Sequence, residues 1–182
     1  MVLLYAFENK KENIRVSADY QLQGNQLSVS FLVDDKDQEL EDFYPFEFGK
    51  SVAGSVFPLE NLWTTTCFEI FLKNENSSDY YEFNFNSKAE WNVFYFSEYR
   101  KRVEGYKSSL EIKMQTQMMA GRPLLTYSFD ILKLVNLKLP AQINLSTVTK
   151  GKVGISYWSQ KHNGHKADFH DPKNFTLTLN SR

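Results

Sequence analysis

The sequence predicts an all-β protein, an antiparallel β-sandwich of about ten strands with little helix, and three observations carry that prediction. Apolar residues alternate with polar ones in one segment after another, the period-2 pattern of half-buried strands. Turn-forming residues punctuate those segments at Gly24-Asn25, Asp34-Asp35, Asn74 to Asp79, Gly121 to Pro123, Gly151 and Asn163-Gly164. Aromatic residues make up 15% of the chain, with 15 Phe and 10 Tyr, and such side chains suit a pleated, half-buried surface. Because no helical pattern separates the strands, the pattern favours jelly-roll or immunoglobulin-like packing over a parallel α/β sheet.

Residues 13–20 are the first expected strand. In the second, Leu27, Val29, Phe31 and Val33 alternate with Ser28, Ser30 and Leu32. Between about Glu39 and Trp63 the pattern is lost over a stretch longer than structureless connections usually run, so it should hold short structure or cover a functional surface. Its aromatics Phe43, Tyr44, Phe46 and Phe48 are read as packed on the sandwich edge, with a lid or a partner-docking face as alternatives. Residues 65–73, 79–86 and 91–97 follow as strands. Leu110, Ile112, Met114 and Met118 then alternate with Glu111, Lys113, Gln115 and Gln117, and Leu125, Tyr127 and Phe129 keep the same beat. Asp130 to Leu134 could form a single helical turn, and residues 143–149, 153–158 and 174–180 complete the set.

With 182 residues the chain is expected to form one domain over 1–182. A domain of that size buries roughly 70% of the surface its unfolded chain would expose, so stability requires neither disulfide nor metal. Its 21 basic and 22 acidic residues set up no overall field, which argues against nucleic acid and against an anionic membrane as partners. The apolar start Met1 to Phe7 meets Glu8, Lys10, Lys11 and Glu12 before a signal-peptide core could form, and one cysteine, Cys67, cannot form an internal disulfide. A cytoplasmic location is the expectation; the oligomeric state is not set by the sequence.

Function is most legible between Trp63 and Tyr99. In an extended chain Trp63, Thr65, Cys67, Glu69 and Phe71 share one face, while Phe68, Ile70 and Leu72 share the core face. The same alternation turns Tyr81, Phe83 and Phe85 inward and Glu82, Asn84 and Asn86 outward. Two neighbouring strands then present carboxylate and amide groups beside Trp63, a mixture suited to a polyol: hydroxyls need paired donors and acceptors, and a sugar ring's C–H face suits an indole. The bland alternative is an ordinary solvated sheet face.

A second cluster holds Tyr157, Trp158, His162, His165, Asp168, Phe169 and His170. Three readings stay open for it. His162, His165 and His170 could ligate a metal with Asp168 or Asp171, a histidine could be an axial haem ligand opposite a methionine or second histidine, or the group could hydrogen-bond within its loop or to a ligand. No cofactor is required by the pattern, with haem the one considered. An enzyme reading would use Glu69 and Glu82 as glycosidase carboxylates, or His170 oriented by Asp168. Cys67, in a strand, reads as inert. Trp91, on one strand with Val93 and Tyr95, reads as core.

The run Leu62 to Leu72 (LWTTTCFEIFL), with Tyr81-Glu82-Phe83-Asn84, Trp91 followed by Tyr95, Phe96, Tyr99 and Arg100, and the late Tyr157-Trp158 and Asp168-Phe169-His170, resembles the bacterial DOMON-like family. That family is grouped with family-9 carbohydrate-binding modules, and the resemblance extends from the first strand to residue 179. It implies a β-sandwich that recognises sugars, or haem in other branches, without catalysis. By that resemblance Trp63 and Trp158 would sandwich a sugar ring, Glu69 would bind its hydroxyls, and Asn84 and Arg100 would be further polar contacts. Cys67 and the His162–His170 segment belong to the DOMON-like branch rather than to the sugar-module pattern. The expected ligand-binding set is thus Trp63, Glu69, Asn84, Arg100, Trp158, His162, Asp168 and His170.

Overall fold

A computed structural model describes residues 1–8, 13–53 and 59–180. Among these, fourteen strands and three single 3-10 turns form two antiparallel sheets, with no α-helix. The strands are β1 (Val2–Leu3), β2 (Tyr5–Ala6), β3 (Ile14–Gln23), β4 (Gln26–Asp35), β5 (Ser51–Ala53), β6 (Cys67–Asn74) and β7 (Tyr80–Phe85). They continue as β8 (Trp91–Glu98), β9 (Lys101–Arg102), β10 (Lys113–Met119), β11 (Arg122–Asp130), β12 (Ala141–Gly151), β13 (Gly154–Ser159) and β14 (Leu177–Leu179). One sheet runs β1-β3-β4-β11-β10-β5; the other runs β2-β13-β12-β6-β7-β8-β9, with β14 also paired to β12.

The alternating residues behave as the sequence predicts. Leu27, Val29, Phe31 and Val33 of β4 are fully buried between the sheets. On the strand's other face Ser28 and Ser30 meet Ser128 and Thr126 of β11 in hydroxyl–hydroxyl bonds of 2.8 Å. Gly24 takes a φ of 57° in the two-residue β3–β4 hairpin, a conformation glycine adopts without steric penalty. Trp91 and Val93 lie in the inter-sheet core, and a 3-10 turn occupies Ile131–Lys133.

Four short strands, β1, β2, β5 and β9, escaped the pattern, since two or three residues cannot display a period. Strand β10 begins at Lys113 rather than Leu110, although Leu110 and Ile112 are buried. Within the 39–62 stretch, Leu40, Phe43, Tyr44 and Phe46 pack against the sandwich. Asp35 accepts the backbone N–H groups of Glu39 and Leu40 at 2.9 and 3.1 Å, Leu40 bridges to Gly151, and Phe43 is buried against Phe68. Only farther on does Phe48 stand out, 69% exposed. Residues 54–58 of that stretch lie outside the described residues.

Strands β6 and β7 matter most for function. All six residues of β7 and the first six of β6 are buried, so this part of the second sheet is covered on both faces. Their inward side chains join the inter-sheet core. Their outward ones join a second apolar cluster that includes Cys67, Phe71, Tyr80, Phe94, Phe96, Val148, Phe169 and Phe175. The segment from His162 to Phe175 lies over that face, tied down where Asn144 of β12 donates to the Phe169 carbonyl at 3.1 Å.

Candidate functional site

Register builds a polar row across the covered face. Ser159 of β13 lies opposite Ser146 of β12, Ser146 opposite Glu69 of β6, Glu69 opposite Asn84 of β7, and Asn84 opposite Asn92 of β8. One step along, Asn144, Phe71, Glu82 and Phe94 form the next row. Glu69 and Glu82 are therefore diagonal neighbours on adjacent strands, within reach of each other's charge. The expectation that carboxyl and amide groups share this face is met, but the face is not solvated: Glu69 is 3%, Glu82 6% and Asn84 0% exposed.

Above the two acids a cleft of about 430 Å³ opens to solvent. Trp63, Phe94, Phe96, Val148, Tyr157, Ala167 and Phe169 supply apolar walls, while Glu69, Glu82, Arg100, Arg102 and His170 supply polar groups. Trp63 sits on the 3-10 turn Leu62–Thr64, edge-on to Phe94 with 6.2 Å between ring centres, and is 39% exposed.

The electrostatics assign different states to the two acids. Burial pushes the Glu69 carboxyl well above the usual carboxylate range, and the neighbouring charge of Glu82 pushes it further. A long 3.5 Å contact from the Ser146 hydroxyl offsets little of this. Burial also raises Glu82, to about 7, but there Asn84 donates to Oε1 at 2.8 Å and the charges of Arg100 and Arg102 favour ionisation. Glu69 is thus the neutral acid, able to donate, and Glu82 the group that carries the pair's negative charge.

His170 lies beside them. Burial, then the Arg100 charge, lowers it to about 4, so its 3.6 Å approach of Nε2 to Glu82 Oε2 is not an ion pair at neutral pH. The Arg100 N–H donates to the Tyr80 hydroxyl at 3.0 Å, which leaves the phenol proton for His170 Nδ1 at 2.8 Å. That pattern assigns the imidazole proton to Nε2, pointing at Glu82. Phe71, Tyr80 and Phe96 enclose the ring.

Both arginines are already paired. Arg100, at a φ of 56° in the β8–β9 turn, pairs with Asp168 at 2.8 Å. Asp168 also accepts from the Tyr99 hydroxyl and the His170 N–H. Burial opposes its ionisation, yet those hydrogen bonds and the Arg100 charge hold it below the usual carboxylate range. Arg102 lies over the Phe94 ring at 4.3 Å and forms two hydrogen bonds with Glu60, at 3.0 and 2.8 Å.

Of the residues expected from sequence, Trp63, Glu69, Arg100 and His170 converge on the cleft. Asn84 and Asp168 stand behind them, holding Glu82 and Arg100. Trp158 does not join them, which corrects the expected two-tryptophan clamp. It lies opposite Thr147, itself opposite Phe68, so it points between the sheets, is 8% exposed, and donates Nε1–H to Thr149 at 2.8 Å. Its neighbour Tyr157 faces the cleft instead. His162 is also elsewhere, with Nε2 2.9 Å from the Tyr5 carbonyl and its ring edge-on to Phe7. The described residues contain no group of three or more His, Cys, Asp or Glu placed to hold a metal. Arg102 and Phe94 were missed; Phe96, Phe169, Tyr157 and the outward-facing Glu82 were noticed in the sequence but not placed in the ligand-binding set.

A larger recess of about 620 Å³ lies at the other sheet's edge, between residues 34–48 and 118–123. Its buried acid, Asp35, has both oxygens occupied by backbone N–H groups, so it offers a ligand less than the acid-floored cleft.

Fold and site together define a β-sandwich with an aromatic-walled, acid-floored cleft on the outer face of one sheet. No family model matches the chain, and no curated protein matches it in sequence. In fold it is similar to the crystal structure of a protein from Bacteroides uniformis ATCC 8492 provisionally described as carbohydrate-binding. The TM-score is 0.63, covering 96% of this chain and 83% of that one, at 13% identity. At that identity the likeness establishes the fold.

Proposed function

We propose that this chain is a non-catalytic carbohydrate-binding sandwich whose cleft takes a neutral sugar. The observation that carries this reading is the unlike pair of carboxyls under the aromatic walls: Glu69 offers a proton and Glu82 accepts one. Adjacent sugar hydroxyls present that same pairing of acceptor and donor, and the site supplies it from two side chains that are themselves buried. Trp63 gives a flat partner for ring C–H groups. A cleft of about 430 Å³ is within the size range of small-molecule sites. Because Arg100 and Arg102 already pair with Asp168 and Glu60, neither stands as an unpaired cation for an acidic sugar. The fold likeness to a protein provisionally described as carbohydrate-binding supports the same reading.

The test is a thermal-shift and tryptophan-fluorescence screen against mono- and disaccharides, including muropeptide sugars, with haem as a separate arm. Saturable binding of a neutral sugar, weakened in Trp63→Ala, is the expected outcome. A Soret band on haem addition with no sugar bound would replace the reading with a haem-binding one. Hydrolysis of an aryl glycoside, lost in Glu69→Gln, would replace it with catalysis by the same acids.

A further inference from the structure

The cleft has a neighbour across Tyr157. On the far side of that ring a second recess of about 430 Å³ is bounded by Phe7, Glu8, His165 and Lys166, and it shares Tyr157 and Ala167 with the first. The two hollows are thus neighbours on one surface, divided by a tyrosine that is 40% exposed.

The sheet gives them a common floor. From Phe94 on β8 to Tyr157 on β13 the path crosses four strand spacings, roughly 19 Å. The second recess continues that line past β13 to the segment after β2. Its walls are anchored: the Phe7 N–H donates to the Tyr157 carbonyl at 2.8 Å, the Phe7 ring packs edge-on against His162 at 5.2 Å, and His162 reaches the Tyr5 carbonyl. What faces the hollow is again a mixture of aromatic and polar side chains. Phe7 and Tyr157 offer aromatic surface, and Glu8, His165 and Lys166 offer exposed polar groups of both charge signs. Ala167, a small side chain, lines both hollows.

Resting on the carbohydrate reading above, we infer that the second recess is an adjoining subsite, so that the ligand is an oligosaccharide with one end in the acid-floored cleft and its next units running past Tyr157 to Phe7 and His165. Longer chains therefore bind more tightly than single sugars. The added affinity belongs to residues that do not touch the first unit.

The experiment titrates the wild-type chain, Phe7→Ala and His165→Ala calorimetrically with three homologous series: glucose to cellotriose, xylose to xylotriose, and N-acetylglucosamine to its β-1,4-linked trimer. Circular dichroism checks that each variant is folded. His165, exposed and on the loop, is the safeguard should Phe7→Ala disturb the N-terminal segment. In at least one series affinity should rise about tenfold or more from monomer to trimer, which is about 1.4 kcal/mol. Both variants should remove most of that gain and leave monosaccharide affinity unchanged. A dissociation constant independent of chain length, or variants that weaken monomer and trimer alike, overturns the subsite and leaves the sugar-binding reading standing. Absence of binding in all three series overturns both.

Discussion

His170 and Glu82 face each other across 3.6 Å with unlike protonation habits: the imidazole is held neutral and the acid is kept from ionising freely, both by burial. Tyr80 and Arg100 fix the ring from behind, so the Nε2 proton and the carboxylate oxygen are presented together at the cleft floor.

Stability should therefore depend on pH in two opposing ways. Glu82, raised from 4.5 to about 7, and Glu69, raised further, favour the folded state at pH below 4.5 and lose that contribution as pH rises through their folded values. His170, lowered from 6.5 to about 4, contributes fully above 6.5 and loses its share as pH falls towards 4. From pH 6.5, where His170 has nothing left to add, the acids act alone. Urea-unfolding stability should then fall as pH rises towards and through their folded values, about 7 for Glu82, by at most about 1.4 kcal/mol per unit for each acid still protonated in the folded chain. Glu69→Gln should flatten the slope. A level wild-type profile between pH 6.5 and 9 would mean that both acids have already ionised in the folded chain below pH 6.5.

Glu69 acting as a neutral donor makes glutamine a fair substitute. Sugar affinity in Glu69→Gln should stay within about threefold of wild type, while Glu69→Ala should lose about tenfold or more, the loss of a hydrogen bond from a buried site. Equal losses in both would show that Glu69 binds as a carboxylate.

The two tryptophans separate binding from folding. Trp63→Ala should weaken sugar binding about tenfold or more and barely change the unfolding midpoint, because the ring is 39% exposed. Trp158→Ala should destabilise by about 3–5 kcal/mol, the usual cost of deleting a large core side chain. Ligand-dependent fluorescence should vanish in Trp63→Phe and persist wherever Trp158 alone is replaced by phenylalanine. A signal that follows Trp158 would contradict the observed packing.

Asp168→Ala releases the Arg100 guanidinium and the Tyr99 hydroxyl together. Since the ion pair is partly exposed, stability should change by no more than about 1 kcal/mol. Sugar affinity should fall, and discrimination against uronic acids should relax because Arg100 is left unpaired. Calorimetric titration with glucuronic acid beside glucose measures the second effect.

Cys67 has no exposed surface, and burial followed by the charge of Glu69 raises its thiol well above the ordinary value. Thiol reagents should label it only on unfolding. Fast labelling of the native chain would reveal an opening beneath the cleft.

The sequence alone announced β6 and β7 because each alternates cleanly, with Phe68, Ile70, Tyr81, Phe83 and Phe85 leaving no doubt about the inner face. Glu69, Asn84 and Trp63 were legible for that reason. That the outer face is covered was not, since its cover comes from Phe169 and Phe175, distant along the chain. In β13 both faces carry an aromatic, Tyr157 on one and Trp158 on the other, and only the register against Thr147 and Phe68 decides which is buried. Arg102 sits on a two-residue strand too short to have a period. The histidines are close in sequence, yet the loop sends His170 to Tyr80 and Glu82 and His162 to Tyr5 and Phe7, so spacing alone misgroups them.

The second apolar layer beneath the His162–Phe175 segment has a consequence for how a guest is received. With Phe169 and Phe175 embedded and Asn144 bonded to the backbone between them, the wall on that side is already set before any ligand arrives. Little ordering entropy is then left to be lost on docking, so association should be fast and rigid-body in character, with residence time governed by the fit of the sugar rather than by a closing flap.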